Sequence, residues 1–244
     1  MKSSKTTHQK IMDITFIGVF AALSYIVLAV LFIPFADMYI HFGNLVVVLA
    51  ALLIGGWQGG LAGSIGMGFF DLFSGYATSA PKTFLLKFLI GLTAGLVYRF
   101  FASRKRFPSV ALFVSGGISV LLGAAITVYS VTEYHAFTGR SAILAPVFFL
   151  IGVLCIVFGL LKKRFSQKNA AAIIGSVCGM AVNIVGETLW KVVTFTLAGS
   201  SVQAAFTTAV LGQASTLINA GIAVIGGVAL FTALEKPFAK IYNK

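Results

Sequence analysis

Residues 39–95 constrain this chain more than any other stretch. They read YIHFGNLVVVLAALLIGGWQGGLAGSIGMGFFDLFSGYATSAPKTFLLKFLIGLTAG. Two apolar runs meet at the turn Gly55-Gly56-Trp57-Gln58-Gly59-Gly60, and a third run follows Ala80-Pro81-Lys82-Thr83. Such runs suit a bilayer, yet they contain Asp71 and Lys87. An ionisable group at mid-membrane costs about 2.5–3.5 kcal/mol on insertion scales, so each must serve a function or find a partner. The expectation is a buried ionic pair, Asp71 with Lys87, with Lys82 as a second possible partner across the short 79–82 turn.

The composition carries the membrane reading to the whole chain. Of 244 residues 59% are hydrophobic and only 10% charged, too apolar for a water-soluble domain and leaving little length for a separate one. Eight apolar spans are expected, at 14–35, 38–54, 58–79, 83–101, 110–131, 143–161, 170–197 and 204–234. Lys2, Lys5 and Lys10 before the first span resemble a signal peptide, but the run is long for one and no small-residue cleavage site follows, so it is read as a mature helix. The net charge of +12 would suggest nucleic acid in a soluble protein. Here the basic residues fall between spans, at the N-terminus, 102–109, 162–169 and the tail. Positive residues stay on the cytoplasmic side, which places both termini inside and the polar loop 132–141 outside, and gives no role to nucleic acid. Cys155 and Cys178 lie inside apolar runs and read as inert thiols.

Polar residues inside the late spans form two groups. Asn183, Glu187, Trp190, Lys191 and Thr194 follow i, i+4, i+7, i+8 and i+11, one face of a helix, and Met180 extends it. Two readings stay open. Glu187 and Lys191 can neutralise each other and only hold helices together. Alternatively the face is a ligand wall, with Trp190 stacking on a flat ring while Asn183 and Glu187 bond its edge. Gln213, Thr216 and Asn219 share a broad face of the last span, where amides can both donate and accept; interhelical bonding is the alternative. His41 and Asn44 begin the second span, and Lys82 stands at the outer mouth beside Pro81. Small residues one turn apart, Gly18/Ala22, Gly59/Gly63, Gly91/Gly95 and Gly175/Gly179, permit close helix approach. No P-loop, H-E-x-x-H or G-x-S-x-G occurs, and His8, His41 and His135 are scattered, so neither a metal site nor a hydrolase is expected.

The order of these features resembles the substrate-binding S components of energy-coupling factor (ECF) vitamin transporters, closest to the riboflavin- and hydroxymethylpyrimidine-type branch. The residues that carry it are YIHFGN, GGWQGG, the segment Asp71-Leu-Phe-Ser-Gly-Tyr76, Ala80-Pro81 and Lys87, and later NIVGETLWK with Glu187 and LGQASTLINAGIAVIGG with Asn219. The resemblance implies an all-α polytopic transmembrane bundle in a bacterial plasma membrane. Within the single membrane domain 1–244, a six-helix core formed by 1–103 and 166–244 would be interrupted by an inserted transmembrane hairpin at 104–165. It implies a non-enzymatic vitamin-capturing module without a cofactor, driven by a separate T component and two ATPases. The family's small-residue face on the first helix, against the T component, falls on Gly18 and Ala22. Its substrate site, near the outer face, points to His41, Asn44, Lys82, Asn183, Glu187, Trp190, Lys191, Gln213, Thr216 and Asn219.

Two other functions compete. A proton-coupled secondary transporter would use Asp71 or Glu187 as its acid, but no convincing inverted repeat relates the two halves. A membrane enzyme acting on lipid or prenyl substrates would need paired acids or a metal motif. The residues lean toward a flat, hydrogen-bonding, neutral or anionic ligand: pyrimidine-type precursors and riboflavin first, pantothenate next.

Overall fold

The computed structural model describes residues 6–35, 38–104, 109–134, 149, 152–153, 155–157, 159–160 and 166–242. Helices dominate: α1 Thr7–Val30, α2 Gly43–Leu53, α3 Gly56–Phe73, α4 Ala80–Ala102, α5 Ser109–Tyr134, α6 Gln167–Leu197, α7 Val202–Leu211 and α8 Ala214–Tyr242. Strands β1 Phe32–Phe35 and β2 Met38–His41 pair antiparallel between α1 and α2, with Phe32 opposite His41. Among the described residues four helices are long and apolar enough to cross a membrane: α1, α4, α6 and the Ser215–Tyr242 stretch of α8.

Two expected spans are corrected. The run 38–54 is not one helix: it gives β2 and then α2, whose 11 residues rise only about 16 Å, half a hydrocarbon core. Pro34 lacks an N–H and disfavours helix before it, so the chain leaves α1 at Val30 and turns back as a hairpin. The run 204–234 breaks at Gly212, which caps α7, and α8 then starts afresh at Ala214. Residue 135 and most of the expected span 143–161 lie outside the described residues.

The chain divides into two units. The first takes 1–103, 171–190 and 213–244; the second takes 104–170 and 191–212. In the first, α2 is the central element. Apart from Asn44 in its first turn it is apolar all round, and its Val47, Val48, Ala50 and Ala51 are fully buried, as expected of a helix that faces protein on every side. Glycines let its neighbours close in. A Cβ at Gly59 would stand 2.3 Å from the Ala51 nitrogen, so α3 lies backbone-to-backbone on α2. On its other face α3 meets α4 the same way: a Cβ at Gly91 would fall 2.4 Å from the Gly60 nitrogen, and one at Gly95 2.3 Å from the Gly56 Cα. At the opposite end of this unit from the hairpin, the Asp13 carboxylate accepts bonds from Gln58 Nε2 (3.4 Å) and the Tyr242 hydroxyl, joining α1, α3 and α8.

In the second unit, α7 is capped by Ser201, whose Oγ accepts from the Ala204 nitrogen at 3.3 Å. Lys191 Nζ donates to the Gly212 carbonyl at 2.9 Å, satisfying an acceptor at the end of α7.

Candidate functional site

The site is set by the register between α4 and α6. Gly179 faces Ile90 and Gly175 faces Ala94: a Cβ there would lie 2.8 Å from the Ile90 carbonyl oxygen or 2.5 Å from that of Ala94. Each step of four residues along α6 matches four back along α4, so the helices run antiparallel. Continued toward the N-terminal end of α4, the antiparallel course brings Asn183 to Lys87, one residue off that register, and Glu187 to Lys82. Lys87 Nζ donates to Asn183 Oδ1 at 3.1 Å, and Lys82 Nζ donates to Glu187 Oε2 at 2.8 Å. The glycines thus fix which polar side chains meet.

This corrects the expected ion pairs. Asp71 does not bridge to Lys87; it accepts a bond from the Thr83 hydroxyl. Nor does Glu187 need Lys191, since the carboxylate takes Lys82 from the facing helix and Lys191 donates to a backbone carbonyl. The reason is geometric. Thr83 and Lys87 stand one turn apart on α4; the short Thr83 hydroxyl meets α3, while the longer Lys87 side chain reaches α6. Thr83 was legible as the residue one turn before Lys87, but a lone Thr carries no charge to mark it.

Above these rungs lies a cavity of about 620 Å³. It falls within the size range of small-molecule sites, and its lining mixes apolar residues (Leu28, Met67, Phe70) with a few polar groups, as such sites do. Seven of the ten expected binding residues line it: His41, Asn44, Lys82, Asn183, Glu187, Thr216 and Asn219, together with Asp71 and Lys87. Trp190, Lys191 and Gln213 do not. Trp190 is 36% exposed, Gln213 is buried away from the cavity, and Lys191 belongs to the second unit. The aromatic rings that do line it are Phe70 and Tyr76, which the sequence did not single out as binding residues.

The hairpin positions the remaining groups. β2 ends at His41, whose backbone N–H donates to Asn219 Oδ1 at 2.9 Å and ties the hairpin to α8. Burial, and then the Lys87 ammonium, lower the His41 imidazole from its ordinary 6.5 to about 3, so it is neutral at physiological pH. Its Nδ1 has no hydrogen-bond partner, and neither does Oδ1 of Asn44, which is 1% exposed. Buried polar atoms are normally satisfied, and these two, on residues that line the cavity, are exceptions. Among the described residues, no cluster of three or more His, Cys, Asp or Glu could hold a metal ion.

No curated protein and no solved structure matches the chain. A family model does: that of the ECF-type riboflavin transporter S component, over residues 8–144. The match takes in α1, the hairpin and α2 to α5, and so His41, Asn44, Asp71, Lys82 and Lys87; Asn183, Glu187, Thr216 and Asn219 lie beyond it. With its apolar spanning helices and more than half its length matched, the chain belongs to the S components of ECF-type riboflavin transporters, multi-pass membrane proteins of vitamin uptake.

Proposed function

We propose that this chain binds a vitamin or vitamin precursor with high affinity in the cavity between α3, α4, α6 and α8, and delivers it across the plasma membrane. A T component and two ATPases, separate chains, provide the power. The observation that carries the site is the buried, unmatched Asn44 side chain on the wall of a cavity sized for a small molecule. A flat ring with donors and acceptors on its edge, riboflavin or a hydroxymethylpyrimidine, suits that lining better than a long flexible ligand.

The basic residues that flank the spans support an orientation with both termini cytoplasmic and the cavity mouth outside. The core-plus-insertion organisation, with 104–165 interrupting an S-component core, belongs to the same reading. For docking to the T component, α1 offers a bare face: nothing lies within 4 Å of where a Gly18 Cβ would stand, and Ala22 is exposed. Gly18→Leu or Ala22→Leu would hold a partner helix away without touching the cavity.

Co-expression with an ECF T component and its ATPases tests this. The complex should co-purify and take up riboflavin or hydroxymethylpyrimidine only with ATP. The Gly18→Leu chain should still bind ligand but no longer transport it. Uptake without the partner chains would refute the reading in favour of a self-sufficient transporter.

A further inference from the structure

The first unit holds a second cavity, of about 410 Å³, at the end away from the hairpin. By rise along the helix, Asp13 lies about 22 Å from Leu28 on α1 and Arg99 about 26 Å from Lys82 on α4, so the two cavities are separate. The hydrocarbon core of a bilayer is about 30 Å thick, so a cavity at these helix ends stands near one of its borders. Tyr98 and Tyr242 line it, and tyrosine concentrates at that depth.

The lining carries both signs of charge. Asp13 supplies a carboxylate, which accepts from Gln58 Nε2 and the Tyr242 hydroxyl; a carboxylate can accept about four such bonds. Residues 51–54 bring the end of α2, whose last carbonyls the helix itself cannot pair and which carries partial negative charge. Arg99 supplies an exposed guanidinium from the last turn of α4. Among the described residues this guanidinium makes no ion pair.

We infer that the second cavity binds the phosphoethanolamine headgroup of a lipid, with the phosphate on Arg99 and the ammonium on Asp13 and the end of α2. A guanidinium fork matches phosphate oxygens in pairs. A primary ammonium brings three N–H donors to a wall of carboxylate and carbonyl acceptors. A plain anion would satisfy Arg99 but meet the Asp13 carboxylate, and a plain cation would do the reverse. A quaternary ammonium has the charge but no N–H for the carbonyls. The depth of the cavity supplies the carrier, since headgroups lie at the border of the hydrocarbon core. Asp13 also joins α1, α3 and α8, so a bound headgroup would brace three helix ends at once. The inference does not depend on what fills the vitamin cavity.

The test uses the full chain in detergent micelles doped with phosphatidylethanolamine, phosphatidylcholine or phosphatidylglycerol, and reads the thermal midpoint against lipid mole fraction. Phosphatidylethanolamine should act at a mole fraction roughly tenfold lower than the other two, the scale of one hydrogen bond to a charged group. Asp13→Asn should erase that preference. Arg99→Gln should weaken all three lipids, because all three carry the phosphate; its exposed position keeps the test alive if Asp13→Asn does not fold. Each variant is read against its own lipid-free midpoint, with monodisperse elution as the check of folding. Glycerophosphoethanolamine, the headgroup without acyl chains, is the second probe, and it should act only at far higher concentration. If it matches the lipid, a dissolved ligand replaces the lipid as the carrier and the lipid inference is overturned. Equal response to the three lipids, no response to any, or an undiminished preference in both variants would overturn the site itself.

Discussion

The α4–α6 contact changes character along its length. In the half toward the C-terminal end of α4, Gly175 and Gly179 let α6 lie directly on the Ala94 and Ile90 backbone. In the half toward the N-terminal end of α4, Lys87 meets Asn183 and Lys82 meets Glu187, and the helices line a cavity. One half has no room to spare and holds the pair together; the other keeps space open and satisfies its charges in part. In lipid, where apolar burial does little to drive helices together, close backbone packing must supply the grip that lets the other end stay apart.

The closely packed half should be the less forgiving. Gly175→Leu pushes a side chain into the Ala94 carbonyl and the Tyr98 backbone. We expect a loss of at least about 3 kcal/mol, the upper end for overpacking, because the obstacle is main chain. The readout is folded yield by monodisperse elution from detergent, and ligand binding should vanish with it. A well-folded Gly175→Leu protein would show that the grip lies elsewhere.

In the open half, Lys82→Met leaves the Glu187 carboxylate without its cation. The expected cost is about 2 kcal/mol, below the roughly 3–5 of a fully buried pair because both side chains keep some exposure. Charge reversal of both, Lys82→Glu with Glu187→Lys, should recover much of it in thermal denaturation. No recovery would mean that each group acts alone.

His41 gives a smaller, pH-dependent effect. Its folded pKa of about 3 lies below its ordinary 6.5, so the unfolded chain binds the proton and the folded one does not. Stability is therefore full above pH 6.5 and falls as the pH drops toward 3, by about 1 kcal/mol at pH 5.5. The thermal midpoint of His41→Asn should lose this dependence. The smallest effect is expected at Trp190, which does not line the cavity. Trp190→Ala should change riboflavin affinity by no more than about 0.5 kcal/mol, as for a surface position. A loss of 1–3 kcal/mol, the scale of a stacked ring, would restore the ligand wall read from the sequence.

Much of the architecture was legible because glycine spacing and apolar length are local signals. The pairs Gly91/Gly95 and Gly175/Gly179 could be read as close-approach faces, and they are. What could not be read was the partner each face meets, and with it the register that sends Lys82 to Glu187. The hairpin was hidden because its residues are nearly as apolar as a span; only Pro34 and Asp37 hinted that the helix had ended. Helical periodicity grouped Asn183, Glu187 and Trp190, but spacing cannot say which edge of a broad face meets the cavity. The first two reach it and the third does not. Phe70 and Tyr76 went unnoticed as cavity rings because aromatic residues are common in any apolar span.

Asn44 offers the most direct test of the claim that the open half is a ligand site. Asn44→Leu nearly preserves volume and removes a buried, unmatched oxygen. If that oxygen were only a defect of folding, its removal would stabilise the chain, by about 1–3 kcal/mol, and do nothing else. If it awaits a ligand donor, the same substitution should raise the thermal midpoint of the empty protein while weakening riboflavin binding by roughly tenfold or more. A raised midpoint with unchanged riboflavin affinity would contradict the account.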